Sequence, residues 1–223
     1  MIPEQPVASV RGVVLAGGDS TRFADGDKAV ASVAGTPVIS RTVTALRAAT
    51  QREPVIAVST HEERATYAAA LEGTDVRFVF DTPAYDGPLA GIVGAARSLD
   101  SEWLFCCGCD MPLLAPTAVS WMIDHLRRTE ANRQSAIDAV AVVHSSGVVE
   151  PLHTLYHRES VIGLQKRLST TAGPRRLLSK FDRVSTVPIA DVPAQIPIEP
   201  STTNINTVDE LERLRRERRS SSP

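Results

Sequence analysis

Residues 13–30 read VVLAGGDSTRFADGDKAV, and this stretch constrains the fold more than any other. A run of apolar residues from Val13 to Ala16 enters two glycines, which is typical of a buried strand followed by a tight loop. Arg22 can hold two phosphate oxygens at once, and Lys28 adds a movable positive charge. The stretch lacks the Gly-Lys-Ser/Thr end of a Walker A loop and the Gly-x-Gly-x-x-Gly dinucleotide pattern. It predicts a phosphate site of another kind, with a tight turn bearing solvated basic residues as the alternative.

Strand-like and helix-like segments alternate along the first half of the chain. Apolar residues at helical spacing predict a helix over 36–49, with Thr36 as its N-cap. The same spacing predicts a helix over 62–73 that ends at Gly73. Short apolar runs separate these helices, which is the pattern of strands joined by helical crossovers. The first half therefore predicts an α/β layer fold with a mostly parallel sheet.

In the second half of the chain, strand-like and helix-like segments no longer alternate. Residues 135–157 predict two or three strands without a long helix between them. The proline-rich segment 181–203 predicts an irregular path that contains one strand. Neither a linker nor a repeat divides the sequence, so we expect a single domain over residues 1–223. Its predicted tails are residues 1–9 and 219–223.

The composition excludes several classes of protein. The chain has 223 residues and a formal net charge of -2, whereas proteins that bind nucleic acid by bulk charge are usually more basic. No apolar run approaches the roughly 18 residues of a membrane span, and the first residues lack the pattern of a signal peptide. The cysteines do not form a disulfide framework and are expected in the core of a strand. We expect a cytoplasmic protein with no nucleic-acid or membrane partner.

Two carboxylates follow predicted strands. Asp81 ends the segment DVRFVFD, and Asp110 follows the apolar run WLFCCGC. Open α/β sheets bind ligands at the carboxyl ends of their strands, where both carboxylates and the glycine loop would meet. Magnesium is usually held by one or two carboxylates together with water and substrate phosphates, so Asp110 is a candidate magnesium ligand. The alternative for Asp110 is a cap on a local turn.

Polar residues in the second half add further candidates. Asn204 and Asn206 alternate around Ile205, so an extended segment would place both amides on one side. Turn formation and helix capping explain the same residues equally well. His153 and His157 lie in a segment that reads as extended, where they are expected near a substrate pocket or at the surface.

Four stretches together resemble the molybdenum cofactor guanylyltransferases. They are LAGGDSTRFADGDKA (15–29), DGPLAGI (86–92), CDMP (109–112) and NINT (204–207). Their order and combination are specific, and they span most of the chain. The resemblance implies a Rossmann-like three-layer sandwich with a mostly parallel mixed sheet, of the nucleotide-diphospho-sugar transferase type. It also implies transfer of GMP from GTP to the phosphate of molybdopterin, with release of pyrophosphate and with Mg²⁺ as cofactor.

The resemblance assigns roles to residues of this sequence. It implies that catalysis depends on Arg22, Lys28, Asp110, Asn204 and Asn206. Asp110 would bind the magnesium ion. The two asparagines would line the pterin side or orient the reacting phosphates. The nucleotide would be bound by Leu15, Ala16, Gly17, Gly18, Lys28, Asp81, Gly87, Gly91 and Asp110.

The resemblance also bears on the base and the partners. LAGG and GPLAG are intact, whereas relatives that use CTP tend to carry Ala-Ala-Gly in the first loop, which implies GTP over CTP. The chain departs from the family at Ala24 and Asp25, where glycines are usual, and at Val58-Ser59-Thr60, where relatives often have asparagine. Partners besides GTP and molybdopterin would be molybdoenzymes or their chaperones. The alternatives are a related nucleotidyltransferase that uses CTP or another phosphorylated acceptor, and a non-catalytic GTP-binding protein that delivers the pterin.

Overall fold

The computed structural model describes residues 9–17, 27–132 and 136–220 of the chain. The strands are β1 (Val10–Leu15), β2 (Ser32–Val33), β3 (Thr36–Pro37), β4 (Val55–Val58), β5 (Arg77–Phe80), β6 (Trp103–Gly108), β7 (Ala139–Val143), β8 (Val149–His157) and β9 (Val184–Pro188). The α-helices are α1 (Val38–Thr50), α2 (His61–Ala70), α3 (Pro88–Ser98), α4 (Pro116–Asn132), α5 (Arg158–Leu164), α6 (Pro174–Leu178), α7 (Ile198–Ser201) and α8 (Val208–Ser220). Short 3₁₀ turns lie at Lys28–Val30, Gln165–Arg167 and Ile189–Asp191.

Within the described residues, seven strands form one sheet in the order β5-β4-β1-β6-β8-β7-β9, and β2 pairs with β3 in a separate ribbon. β1 pairs in parallel with both β4 and β6, while β8 runs antiparallel to β6 and β7. Strands β1, β4 and β6 are buried over nearly their whole length, as expected where helices cover both faces of parallel strands. The predicted α/β fold with a mostly parallel mixed sheet is confirmed.

Helices cover both faces of the sheet and form two cores with it. In one core Val14 of β1 packs with side chains of α1, α2 and α4. In the other, Val13 and Leu15 pack with side chains of α3, α5 and α6. Neighbouring side chains of β1 enter different cores because successive residues of a strand point to opposite faces. The result is a three-layer sandwich, as the sequence resemblance implied.

The small residues of α3 allow this helix to pack closely on the end of β5. A Cβ atom on Gly94 would lie 2.4 Å from the carbonyl oxygen of Phe80, so a larger residue could not occupy this position without a shift of the backbone. The helix begins after Gly87, whose φ of 61° favours glycine. This packing brings the first turn of α3 to the carboxyl edge of the sheet.

Two helix boundaries differ from the sequence prediction. Thr36 is not an N-cap, because it pairs with β2 as part of β3 and Pro37 takes the N-cap position without a side-chain hydrogen bond. α2 begins after a capping box formed by Thr60 and Glu63, and it ends before Gly73. Gly73 has a φ of 76° in the turn that follows. Strand pairing at Thr36 and the capping box at Thr60 therefore set helix boundaries that the spacing of apolar residues did not predict.

The second half of the chain confirms the prediction that strands follow one another there without a long helix between them. β7 and β8 form an antiparallel hairpin, and Gly147 lies in its turn with a φ of 79°. β9 is the strand predicted in the proline-rich segment, and it pairs in parallel with β7. The sequence did not predict α6 or α7, because helices this short cover too few turns to show a helical period.

The ends of the described chain are joined to the fold. The Ser9 backbone carbonyl and Oγ accept hydrogen bonds from the N–H groups of Trp103 and Glu102, each at 3.0 Å. Thr207 and Glu210 form a capping box, and α8 continues from it to Ser220. None of the helices in residues 9–17, 27–132 and 136–220 is long and apolar enough to cross a membrane.

Candidate functional site

The carboxyl ends of β5, β4, β1 and β6 lie side by side along one edge of the sheet. Backbone pairing continues past the strands, since the Cys109 N–H donates to the Leu15 carbonyl at 3.1 Å and the Asp81 N–H donates to the Val58 carbonyl at 2.9 Å. The residues that follow these strands are therefore held in one row. This is the arrangement that strand-end ligand binding in open α/β sheets requires.

A cleft of about 200 Å³ opens at this edge. It is lined by Leu15, Ala16, Gly17, Asp27, Lys28, Pro88, Gly108, Cys109, Asp110 and Leu152. A larger depression of about 400 Å³ lies at the opposite edge, around Ser9 and Arg52. The smaller cleft is the stronger candidate site, because the predicted glycine, lysine and aspartate residues converge there.

Lys28 and Asp110 form the charged centre of the cleft. The Lys28 Nζ atom lies 3.7 Å from Asp110 Oδ2 and 3.5 Å from the Ile205 carbonyl oxygen. About a fifth of each charged side chain is exposed, with values of 19% for Lys28 and 21% for Asp110. Asp27 caps the 3₁₀ turn that carries Lys28, because its Oδ1 accepts a hydrogen bond from the Ala29 N–H at 2.9 Å.

The Asp110 carboxylate has the environment of a cation ligand. Burial raises the pKa of this carboxyl, and the neighbouring Lys28 ammonium opposes the effect in part. A further cation beside Asp110 would therefore stabilise its charged form. Among the described residues, no group of three or more His, Cys, Asp and Glu side chains converges on one point. A single carboxylate fits Mg²⁺, which fills the rest of its shell with water and substrate phosphates.

A second polar centre lies at the ends of β4 and β5. The Ser59 hydroxyl donates to Asp81 Oδ2 at 2.8 Å, while Asp81 Oδ1 is buried without a hydrogen-bond partner in the described residues. Burial raises the pKa of Asp81, and the hydrogen bond from Ser59 counteracts this. A Cβ atom on Gly17 would lie 2.3 Å from both Ser59 Oγ and Asp81 Oδ2, so glycine is required for this close approach.

The glycines before and in α3 shape the same region. A Cβ atom on Gly91 would lie 2.9 Å from Leu15 Cδ2 and 3.1 Å from Asp81 Oδ1. The missing side chain at Gly91 therefore lets Leu15 and Asp81 pack closely against α3. Gly87 precedes the first turn of α3, and Pro88 in that turn lines the cleft.

Asn204 and Asn206 lie beside the cleft rather than among the residues that line it. The segment is anchored by the Ile205 N–H, which donates to the Asp110 carbonyl at 2.9 Å. Asn204 lines a neighbouring cavity of about 80 Å³, and its Oδ1 is buried without a hydrogen-bond partner in the described residues. Asn206 is exposed, and its backbone N–H donates to Glu210 Oε2 at 2.6 Å.

Two predicted residues cannot be compared with the structure, and two residues of the cleft differ from the sequence prediction. Gly18 and Arg22 lie outside the described residues. Cys109 was expected in the core with Cys106 and Cys107, but it follows β6 and lines the cleft, whereas the other two are buried in the strand. Asp27 was not selected from the sequence, although an aspartate directly before a helical turn is a recognisable capping signal.

Comparison with known proteins gives the family. A model of the MobA-like NTP transferase domain matches residues 12–184. The probable molybdenum cofactor guanylyltransferase of Natronomonas pharaonis is 31% identical over 206 residues, which cover 92% of this chain and 96% of that protein. The protein of the same description from Haloferax mediterranei is 32% identical over 206 residues, which cover 91% of each chain.

Solved structures share the fold at lower identity. Molybdopterin-guanine dinucleotide biosynthesis protein A from Archaeoglobus fulgidus matches with a TM-score of 0.71 and 20% identity, over 94% of this chain and 99% of that one. A CMP:2-keto-3-deoxy-manno-octonic acid synthetase matches with a TM-score of 0.66 and 13% identity, over 96% and 100%. The fold is that of the nucleotide-diphospho-sugar transferases. The chain therefore belongs to the MobA-like NTP transferase domain family and is a nucleotidyltransferase.

Proposed function

We propose that this chain transfers GMP from GTP to the phosphate of molybdopterin, which forms the guanine dinucleotide cofactor and releases pyrophosphate. The observation that carries the proposal is the pairing of Lys28 with Asp110 at 3.7 Å, at the sheet edge where Gly17 follows β1. This pair supplies a cation for phosphates and a carboxylate for a metal ion in one cleft. The similarity to molybdenum cofactor guanylyltransferases supports guanosine as the nucleoside.

The transfer joins two anions, which is its main electrostatic difficulty. An oxygen of the molybdopterin phosphate attacks the α-phosphorus of GTP, and the bond from that phosphorus to the bridging oxygen of pyrophosphate breaks. Two unit charges about 4 Å apart repel by about 4 kcal/mol at an effective dielectric constant near 20. Positive charge at the reacting phosphates therefore lowers the barrier. The acceptor phosphate is already ionised near neutral pH, so no covalent protein intermediate is needed.

Lys28 and Asp110 would each stabilise a different part of the reacting charge. Lys28 binds the triphosphate and stabilises the charge that develops on pyrophosphate. Asp110 is the residue that would hold Mg²⁺, which supplies Lewis-acid stabilisation of the phosphate oxygens when bound. Burial of both side chains strengthens these interactions, because water screens charges less in a partly closed cleft. Arg22, which the sequence places on the same loop, would add a second phosphate contact.

The nucleoside lies nearer to β4 and β5 in this proposal. Asp81 Oδ1 is buried and unpaired in the described residues, so an N–H or O–H group of a bound nucleoside would supply the hydrogen bond that it lacks. Backbone groups of Leu15, Ala16 and Gly17 form the adjoining wall. On the other side of Lys28, Asn204 and Asn206 would bind the acceptor.

The decisive assay is pyrophosphate release from GTP and from CTP, in the presence of Mg²⁺, with and without freshly prepared molybdopterin. We expect release with GTP only, and only when the pterin is present. Asp110→Asn should abolish release, whereas Asp124→Asn on the exposed surface of α4 should keep the wild-type rate. GTP binding without release under all conditions would refute the proposal and favour a non-catalytic role in pterin delivery. Release with a different phosphorylated acceptor would instead favour a related nucleotidyltransferase.

A further inference from the structure

Tyr67 lies on α2, and its hydroxyl contacts two residues that line the cleft, Ala16 and Asp27. The side chain is 2% exposed, and the hydroxyl lies 2.6 Å from Asp27 Oδ2 and 3.1 Å from the Ala16 carbonyl oxygen. A phenol has one hydrogen to donate, and the shorter distance identifies the carboxylate as its main acceptor. The Ala16 carbonyl accepts the weaker hydrogen bond.

Asp27 connects this hydroxyl to the turn that carries Lys28. One carboxylate oxygen, Oδ2, accepts from Tyr67, and the other, Oδ1, accepts from the Ala29 N–H at 2.9 Å. The bond from Tyr67 thus fixes the rotation of the carboxylate that caps the 3₁₀ turn. Because Lys28 is the first residue of that turn, the orientation of its side chain depends on this cap.

Ala16, the second hydrogen-bond partner of Tyr67, is held in place by the sheet. The Ala16 N–H donates to the Ala57 carbonyl at 2.9 Å, so residue 16 is held at the end of β1 and beside β4. The Tyr67 ring is part of the core between the sheet and α1, α2 and α4. Burial, together with the hydrogen bond to Asp27, raises the pKa of Tyr67, so the hydroxyl stays protonated and remains a donor.

We propose that Tyr67 is a positioning residue for the triphosphate site: through Asp27 it fixes the turn that places Lys28 in the cleft. The residue does not line the cleft and acts only through its neighbours. This inference rests on the proposed function, since it assigns the triphosphate to Lys28. It predicts that the hydroxyl of Tyr67 affects phosphate binding and leaves nucleoside binding unchanged.

Tyr67→Phe removes the hydroxyl and keeps the buried ring. We expect it to weaken binding of inorganic tripolyphosphate and of GTP by about tenfold, the lower end of the range for loss of a hydrogen bond to a charged group, and to leave guanosine binding unchanged. Asp27→Asn keeps Oδ1 as the acceptor for the Ala29 N–H but replaces the acceptor of Tyr67. This change also removes a negative charge from the cleft, which favours anion binding, so the informative comparison is the double variant. In the Asp27→Asn background, Tyr67→Phe should cause no further loss of tripolyphosphate binding.

Tyr156→Phe is the matched control. Tyr156 is also fully buried and donates to a backbone carbonyl, that of Pro151, at 2.9 Å, but it packs in the other core. This variant should lower the midpoint of thermal unfolding without changing tripolyphosphate affinity. A second control is Tyr67→Phe in the Lys28→Ala background, where we expect no further loss of tripolyphosphate binding because the residue it positions is gone.

Calorimetric titration of the full chain with tripolyphosphate, GTP and guanosine distinguishes the outcomes. If Lys28→Ala weakens tripolyphosphate binding but Tyr67→Phe does not, this inference is overturned and the proposed function stands. Equal losses for tripolyphosphate and guanosine in Tyr67→Phe would also overturn it, because they indicate general disruption of the cleft. If the wild-type chain binds neither GTP nor tripolyphosphate, the proposed function fails and this inference fails with it.

Discussion

His153 should make the stability of this protein depend on pH. Its side chain is fully buried on β8, with Nε2 3.0 Å from Ser201 Oγ and the ring 5.0 Å from the Phe105 ring centroid. Burial lowers the pKa of His153 from 6.5 to about 4, and the nearby His144 adds to the effect. Ser201 in turn accepts from the Ala115 N–H at 3.0 Å, so this buried histidine supports the chain that follows Asp110.

The direction of the effect follows from proton binding. Between pH 6.5 and pH 4 the unfolded chain binds a proton at His153 and the folded chain does not, so stability is fully present above pH 6.5 and falls as the pH is lowered. Each unit of difference in pKa corresponds to about 1.4 kcal/mol, which gives a total loss of about 3 kcal/mol. Of this, about 2 kcal/mol should be lost between pH 7 and pH 5.

The test compares wild type with His153→Gln, which keeps a polar atom near Ser201 but does not titrate. Urea unfolding at several values between pH 7 and pH 5 gives the free energy of unfolding for each variant. We expect the wild type to lose about 2 kcal/mol more than His153→Gln over this range, because all other groups titrate in both. Tyr156→Phe, a change at a buried residue that stays protonated over this range, should keep the wild-type slope. Parallel profiles for wild type and His153→Gln would refute the reasoning.

Two further predictions concern the cleft. Ser59→Ala removes the hydrogen bond that lowers the pKa of Asp81, so loss of GTP affinity at acidic pH should begin at a higher pH, as calorimetric titrations at several pH values would show. An unshifted profile would separate Ser59 from the nucleotide site. Asp110→Asn removes a negative charge 3.7 Å from Lys28, so GTP affinity in the absence of Mg²⁺ should rise by about two- to tenfold even though turnover is lost. Weaker metal-free binding in this variant would contradict the assigned roles.

The edge of the sheet that holds the candidate site was predictable from the sequence. Gly17, Asp81 and Asp110 each follow an apolar strand, and parallel strands bring their carboxyl ends to one edge whatever the details of packing. The order of β1, β4, β5 and β6 then decides which of these residues are neighbours. Local pattern and topology together were enough to place the cleft, and Lys28 followed from its spacing after the glycines.

Contacts between distant segments were not predictable. Tyr67 reads as one of the apolar positions of α2, and nothing near it in sequence indicates that Asp27 accepts from its hydroxyl. His153 was expected near a substrate pocket or at the surface, and the surface alternative is wrong, because β8 is inserted between β6 and β7 in the middle of the sheet. Helical and strand periods report which face of an element is buried. They carry no information on which polar groups meet across the core.

Under the proposed function, the position of Lys28 predicts that metal and triphosphate bind cooperatively. Its Nζ atom lies 3.7 Å from Asp110 and 3.5 Å from the Ile205 carbonyl, longer than the roughly 2.7–2.9 Å of a strong charge-assisted hydrogen bond. The ammonium is therefore held loosely and can turn to a phosphate at small cost. When it does, the buried Asp110 carboxylate loses the charge that compensates it. A cation at Asp110 replaces that charge and releases Lys28 for the triphosphate, so each ligand should raise the affinity for the other.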